Sequence, residues 1–180
     1  MNIILMGYRC TGKTATGRAL ARWLGRPLVD TDALIEERQG RPIPEIVIEK
    51  GWSGFRAAET EVVVQLADAD GQVIALGGGA VLELANVIAL KKNSFFVWLT
   101  ADKETICARM EKDEKSGAAR PSLTGKTSFA EIEAVLTERT PIYRRLADLA
   151  IDTATIGTDA VAEKIREGFA EIKHIMKGEC

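Results

Sequence analysis

Ile3-Ile4-Leu5-Met6 runs directly into Gly7-Tyr8-Arg9-Cys10-Thr11-Gly12-Lys13-Thr14, and a helical pattern begins where that second stretch ends. An apolar strand, a glycine-framed turn and then a helix is the setting in which G-x-x-x-x-G-K-[ST] forms a phosphate loop. The spacing follows from chemistry. Successive backbone N–H groups of the turn point at phosphate oxygens, and the helix that starts near Lys13 adds the positive end of its dipole. Lys13 then reaches the β- and γ-phosphates, and the Thr14 hydroxyl is available to Mg2+. A chance match in a glycine-bearing turn would lack the strand before it and the helix after it.

Working outward, short apolar runs alternate with amphipathic stretches, without an internal repeat or a low-complexity segment. Ala15 to Leu24 reads as a helix closed by Gly25, and Pro27-Leu28-Val29 as a second strand ending in Asp30-Thr31-Asp32. A helix to Gln39 is capped by Gly40, and two more are expected over Pro42 to Lys50 and Phe55 to Ala67. Val73 to Leu76 reads as a third strand that ends in Gly77-Gly78-Gly79, followed by a helix over Leu82 to Leu90. Phe95 to Leu99 is a fully apolar fourth strand. Helices then run through Arg145, an edge strand is expected at Leu149 to Asp152, and a last helix from Asp159 to about Met176. Fully apolar strands separated by helices imply an α/β architecture of three layers, a parallel sheet covered on both faces.

The whole chain, residues 1 to 180, is expected to form one domain, since 180 residues with 46% hydrophobic and 28% charged content suit a single soluble unit. A net charge of −2 gives no general attraction to nucleic acid or acidic lipid, so an anion site must be built locally. Cys10, Cys107 and Cys180 are far apart and odd in number, which argues for reduced thiols. Met1 leads straight into the first strand and no apolar run approaches the length of a membrane span, so a cytoplasmic protein is expected. Asp113 to Thr127 is polar, lacks a steady apolar period and reads as a lid, mobile without ligand and ordered with it. His174, the sole histidine, falls in the last helix, where a surface or packing role is expected.

Chemistry is expected at the C-terminal ends of the strands. Asp30 and Asp32 are suited to divide two duties, water around Mg2+ for one and the acceptor hydroxyl for the other, although Asp32 as a simple helix cap is the alternative. Three glycines after a buried strand suggest a close backbone approach to a small molecule, a loose turn being the alternative. Arg56, with Glu59 at i+3 to hold its guanidinium, suits bidentate capture of a carboxylate, or else forms a surface ion pair.

Across nearly its whole length the chain resembles the shikimate kinases, of the nucleoside-monophosphate-kinase-like group of phosphate-loop NTPase folds. The resemblance rests on the phosphate loop, Asp30-Thr31-Asp32, Phe55-Arg56-x-x-Glu59, Leu76-Gly77-Gly78-Gly79-Ala80-Val81, Arg120-Pro121 and Arg139-x-Pro141-x-Tyr143-Arg144. It implies ATP-dependent phosphorylation of the 3-hydroxyl of shikimate on a five-stranded parallel sheet in the order 2-3-1-4-5.

Carried over by position, the resemblance assigns ATP to Gly7, Arg9, Cys10, Thr11, Gly12, Lys13, Thr14 and Ala15, with Arg109 stacking on adenine and Arg120 closing on the transferring phosphate. It makes Asp32 the base that binds the acceptor hydroxyls, gives the shikimate carboxylate to Arg56 and Arg139, and lines the ring with Gly77, Gly78 and Gly79. Thr14 binds Mg2+, supported through water by Asp30. Lys13, Asp32 and Arg120 are the implied catalytic residues, helices at about residues 33 to 62 bind shikimate, and the protein is expected to act as a monomer.

Two departures stand out. Position 10 is usually glycine in that family, so a cysteine there must keep φ negative or accept strain. Its thiol is expected to be activated by the converging N–H groups and Lys13, a buried and inert cysteine being the alternative. Thr153-Ala154-Thr155-Ile156-Gly157 lacks the basic, proline-bearing pattern of an adenine loop. Gluconate is an alternative acceptor. A nucleoside monophosphate kinase would need a second base signature, and a GTP-dependent switch would need Asn-Lys-x-Asp, which is absent.

Overall fold

Neighbouring residues of the first strand go to opposite cores. Ile3 and Leu5 join one apolar cluster and Ile4 and Met6 another, all of them essentially inaccessible to water, as the two-residue period of a strand buried on both faces requires. The computed structural model describes residues 1–115 and 128–177. The order along the chain is β1 (Asn2–Met6), α1 (Lys13–Leu24), β2 (Leu28–Asp30), α2 (Thr31–Gln39), α3 (Ile43–Ala67), β3 (Val73–Ala75) and a 3-10 turn (Ala80–Leu82). Then come α4 (Leu84–Lys91), β4 (Ser94–Thr100), α5 (Lys103–Lys115), α6 (Ser128–Leu146), β5 (Leu149–Asp152) and α7 (Thr158–Lys177).

All pairings are parallel and the sheet order is β2-β3-β1-β4-β5, as expected. Residues of α1 and α7 join the cluster of Ile3 and Leu5, whereas α2, α3, α4 and α6 supply residues to the cluster of Ile4 and Met6. A third cluster, built from Tyr8, Ile106, Met110, Ile132 and Val135, ties the phosphate loop to α5 and α6. Asn2 is the one polar residue of β1. Its side chain donates to the Ala69 carbonyl at 2.8 Å and accepts from the Gln72 N–H at 2.9 Å, which satisfies it inside the sheet.

Local signals hold at most boundaries. Gly25 (φ 62°) and Gly40 (φ 64°) end α1 and α2 in the left-handed conformation. The two helices expected around residue 50 form one element that is broken at Gly51, whose φ of 69° and ψ of 175° are not helical. The helix expected over Leu82 to Leu90 is instead the 3-10 turn and α4, separated by the extended Glu83. Asp113, expected in the lid, still belongs to α5, and the rest of that segment from residue 116, Arg120 included, lies outside the described residues. His174 is exposed on α7, as expected.

Gly7 couples the loop to the sheet. It adopts φ 143°, and a Cβ on it would collide with the Leu99 carbonyl of β4. Both the backbone angle and the contact penalise any side chain. Gly7→Ala is expected to destabilise the fold by about 2 kcal/mol or more, measured by urea unfolding.

Candidate functional site

Glycines shape the loop, and its own lysine closes over it. Gly12 (φ 90°) is the N-cap of α1 without a side-chain cap, which leaves the first-turn N–H groups open to an anion. Lys13 Nζ lies back over the loop, donating to the carbonyls of Gly7 at 2.9 Å and Tyr8 at 2.8 Å, and Thr11 Oγ1 also donates to Tyr8 at 2.8 Å. The outer rim is fixed from α5. Arg109 donates to the carbonyls of Cys10 at 3.2 Å and Thr153 at 2.6 Å, and the Thr153 hydroxyl reaches the Thr11 carbonyl at 3.1 Å. Thr153, just past β5, is a tie that the sequence did not reveal.

Beside the loop, β2 delivers its aspartates to different tasks. Asp30, not Asp32, caps α2. Its Oδ1 accepts from the N–H groups of Asp32 at 3.1 Å and Ala33 at 3.4 Å. Its Oδ2 accepts from the Thr14 hydroxyl at 2.6 Å. Asp32 is thereby left in the first turn of α2, buried and facing the end of β3. No group of three or more His, Cys, Asp or Glu side chains converges on a metal among the described residues. Two hard oxygen groups, Thr14 and Asp30, do meet at the loop, and that fits Mg2+, which keeps several waters and takes its remaining ligands from phosphates.

The glycine run solves a problem of space. None of Gly77, Gly78 and Gly79 has a positive φ. A Cβ on Gly77 would lie 2.5 Å from Glu59 Oε1 and 2.6 Å from Asp32 Oδ1, and one on Gly79 would collide with the Arg56 guanidinium. These glycines exist so that charged groups can close in. The Thr31 hydroxyl accepts from the Gly77 N–H at 2.8 Å, and the Gly78 carbonyl accepts from Arg139 Nη1 at 3.0 Å and the Tyr143 hydroxyl at 2.5 Å.

Three arginines line one pocket with Asp32 and Glu59. Arg56 is paired with Glu59 and lies against the rings of Phe55 and Trp52. Glu59 is fully buried, and desolvation raises its pKa even though Arg56 opposes the shift. Arg139 reaches in from α6. Arg9 leaves the phosphate loop to pair with the buried Glu131 of α6 at 2.6 Å, so its side chain lies among the pocket residues although its backbone belongs to the loop. Glu59 Oε1, Arg139 Nε, Arg9 Nε and the Tyr8 hydroxyl are buried without a hydrogen-bond partner among the described residues. Four orphaned polar atoms in one place are the pattern of a site completed by water or a bound molecule.

Sequence reading expected Asp32, Arg56, Arg139 and the glycines to share one site, and these residues line one pocket. It missed Tyr8, which lines the same pocket, and Glu131, Thr31 and Thr153, whose hydrogen bonds include partners 44 to 142 residues away.

The shikimate kinase family model matches residues 9–170. A shikimate kinase of Syntrophus aciditrophicus is 44% identical over 176 residues, covering 93% of this chain and 90% of that protein. One of Symbiobacterium thermophilum is 42% identical over 171 residues, covering 95% and 97%. Among solved structures, shikimate kinase from Acinetobacter baumannii in complex with shikimate aligns with a TM-score of 0.88 at 34% identity, covering 96% of this chain and 94% of that one. A gluconokinase from Sinorhizobium meliloti aligns with a TM-score of 0.58 at 18% identity, a likeness of fold alone.

Cys10 corrects an expectation. It does adopt φ 60°, so the loop accepts strain there. The thiol, however, is not activated. Burial first, and then the hydrogen bond to Asp113 at 3.3 Å and that carboxylate's charge, push it up to about 11. The charges of Arg9 and Lys13, which pull the other way, do not outweigh the desolvation. At pH 8 only about one thiol in a thousand is ionised, so Cys10 is expected to label with iodoacetamide far more slowly than a free thiol. Rapid labelling at pH 8, followed by mass spectrometry, would contradict this.

Proposed function

The chain belongs to the shikimate kinase family, and on that premise we propose how its residues divide the work. It catalyses ATP-dependent phosphorylation of the 3-hydroxyl of shikimate to shikimate 3-phosphate, a step of aromatic amino-acid biosynthesis that uses Mg2+. The observation that supports the assignment of its acceptor site is the convergence of Asp32, Arg56 and Arg139 on one pocket beside the phosphate loop, where glycines make room for them.

In this reading the loop N–H groups and Lys13 hold the triphosphate, and Thr14 with Asp30 would hold Mg2+, which neutralises charge on the phosphates. Arg56 and Arg139 grip the shikimate carboxylate, a group whose charge does not change in the reaction. Asp32 orients the 3-hydroxyl and takes its proton as that oxygen forms a bond to the γ-phosphorus and the bond from phosphorus to the ADP oxygen breaks. Gly78 and Gly79 leave room for the ring. Arg120 would meet the transferring phosphate from the lid at about residues 113 to 127, and the acceptor-binding helices span about 33 to 62.

Arg109 donates from its guanidinium to Cys10 and Thr153, which fixes the plane that would stack on adenine. No described helix is long and apolar enough to cross a membrane. We further propose a cytoplasmic monomer of one domain, without nucleic-acid or membrane partners.

The test is a coupled ADP-release assay in which shikimate, gluconate and nucleoside monophosphates are offered side by side. Shikimate alone is expected to stimulate turnover, and stimulation by another acceptor in its place would overturn the reading. Arg56→Ala and Arg139→Ala are expected to raise the shikimate KM by about tenfold or more with a smaller effect on kcat, and Lys13→Ala to lower kcat. An unchanged shikimate KM in both arginine variants would remove them from the acceptor site.

A further inference from the structure

The mechanism above uses two of the three arginines in the pocket. Arg9 differs from Arg56 and Arg139 in its origin. Its backbone is part of the phosphate loop, yet its side chain lines the pocket that holds Asp32 and Glu59. It therefore stands where the nucleotide and acceptor sites meet. Its Nη2 lies 2.6 Å from Glu131 Oε1, and the buried Nε has no partner among the described residues.

Glu131 lies in the first turn of α6, where a negative charge suits the helix dipole, but its burial is uncommon for a carboxylate. Its side chain is 1% exposed, against 14% for Arg9, so this carboxylate meets the arginine out of water. Buried ion pairs rarely repay their desolvation in stability, and apolar residues of similar size commonly serve a fold as well. The Arg9 guanidinium also lies 5.6 Å from the centre of the Tyr8 ring, which limits its swing from a second direction. A flexible arginine is thus held in one orientation at the wall of the pocket by a carboxylate and a ring. A fork held in place loses less freedom on binding than a free one.

We infer that Glu131 is a positioning residue for the kinase reaction, acting through Arg9, and that the Arg9 side chain serves the anionic acceptor instead of the nucleotide. The inference rests on the acceptor site proposed above. Arg9 then supplies the acceptor side of the pocket with a third positive group, whose donor is aimed by Glu131 before the acceptor arrives. Because the Arg9 backbone belongs to the loop, occupation of the loop by nucleotide and the aim of this guanidinium are mechanically linked.

Kinetics and binding of the full chain test this. Wild-type turnover of shikimate comes first, and its absence would count against the acceptor reading itself. With that in hand, Arg9→Met is expected to raise the shikimate KM by about tenfold while the ATP KM stays within about twofold. Glu131→Gln is expected to move the shikimate KM in the same direction. The double variant Arg9→Met with Glu131→Leu replaces the pair by apolar groups. It is expected to fold as well as the wild type by thermal unfolding and to show no larger shikimate defect than Arg9→Met alone. Titration of shikimate into nucleotide-free protein should report the same loss of affinity. A raised ATP KM with normal shikimate KM would reassign the Arg9 side chain to the nucleotide. Strictly additive effects of the two positions, or a double variant with wild-type shikimate KM, would remove Glu131 from any positioning role. Should Glu131→Gln not fold, the double variant alone decides.

Discussion

Ala75 stands opposite Leu5 on one side and Asp30 on the other, through parallel pairing of β3 with β1 and β2. That register is the constraint on which the site depends. Parallel strands end together, so the phosphate loop after β1, the aspartates after β2 and the glycines after β3 emerge side by side at one edge of the sheet. A shift of one residue in either pairing would turn the buried faces of the strand inside out as well as separate these groups. The cores on both faces therefore hold the register, and the register holds the chemistry.

Strand ends held this close together crowd their charges. Asp32 and Glu59 are both close to Gly77, and Arg56 fills the space a side chain on Gly79 would need. Burial pushes the Glu59 pKa up, and the neighbouring Arg56 pulls it down. Acidic and basic groups so close, with several polar atoms left unpartnered, make a poor contribution to the stability of an isolated fold and a good receptor for a polar, anionic small molecule. Stability is supplied elsewhere, by the apolar clusters on the two sides of the sheet.

The phosphate loop is tied down in every direction in which it has neighbours. Leu99 of β4 abuts Gly7, Arg109 of α5 and Thr153 after β5 hold the rim at Cys10 and Thr11, and Glu131 of α6 holds Arg9. This explains how the loop accommodates a left-handed cysteine, since the strain at one residue is small beside the contacts that determine its path. The same enclosure partly buries Cys10, and desolvation prevails over the nearby positive charge.

The sequence by itself determined the fold and most of the site. Apolar runs of period two, helices ended by Gly25 and Gly40, and the spacing from Gly7 to Thr14 are local codes, each carried by adjacent residues. Motif order then brought Asp32, Arg56, Gly77 to Gly79 and Arg139 to one place. Only the tertiary structure decided that Asp30 and not Asp32 caps α2, that the glycines provide space and not a turn, and that the Cys10 thiol is quiet. It alone joined Arg9 to Glu131. The physical reason is common to all of these. A cap, a collision, a desolvation and an ion pair depend on what stands within a few ångströms in space, and residues 122 positions apart leave no periodic trace of their meeting.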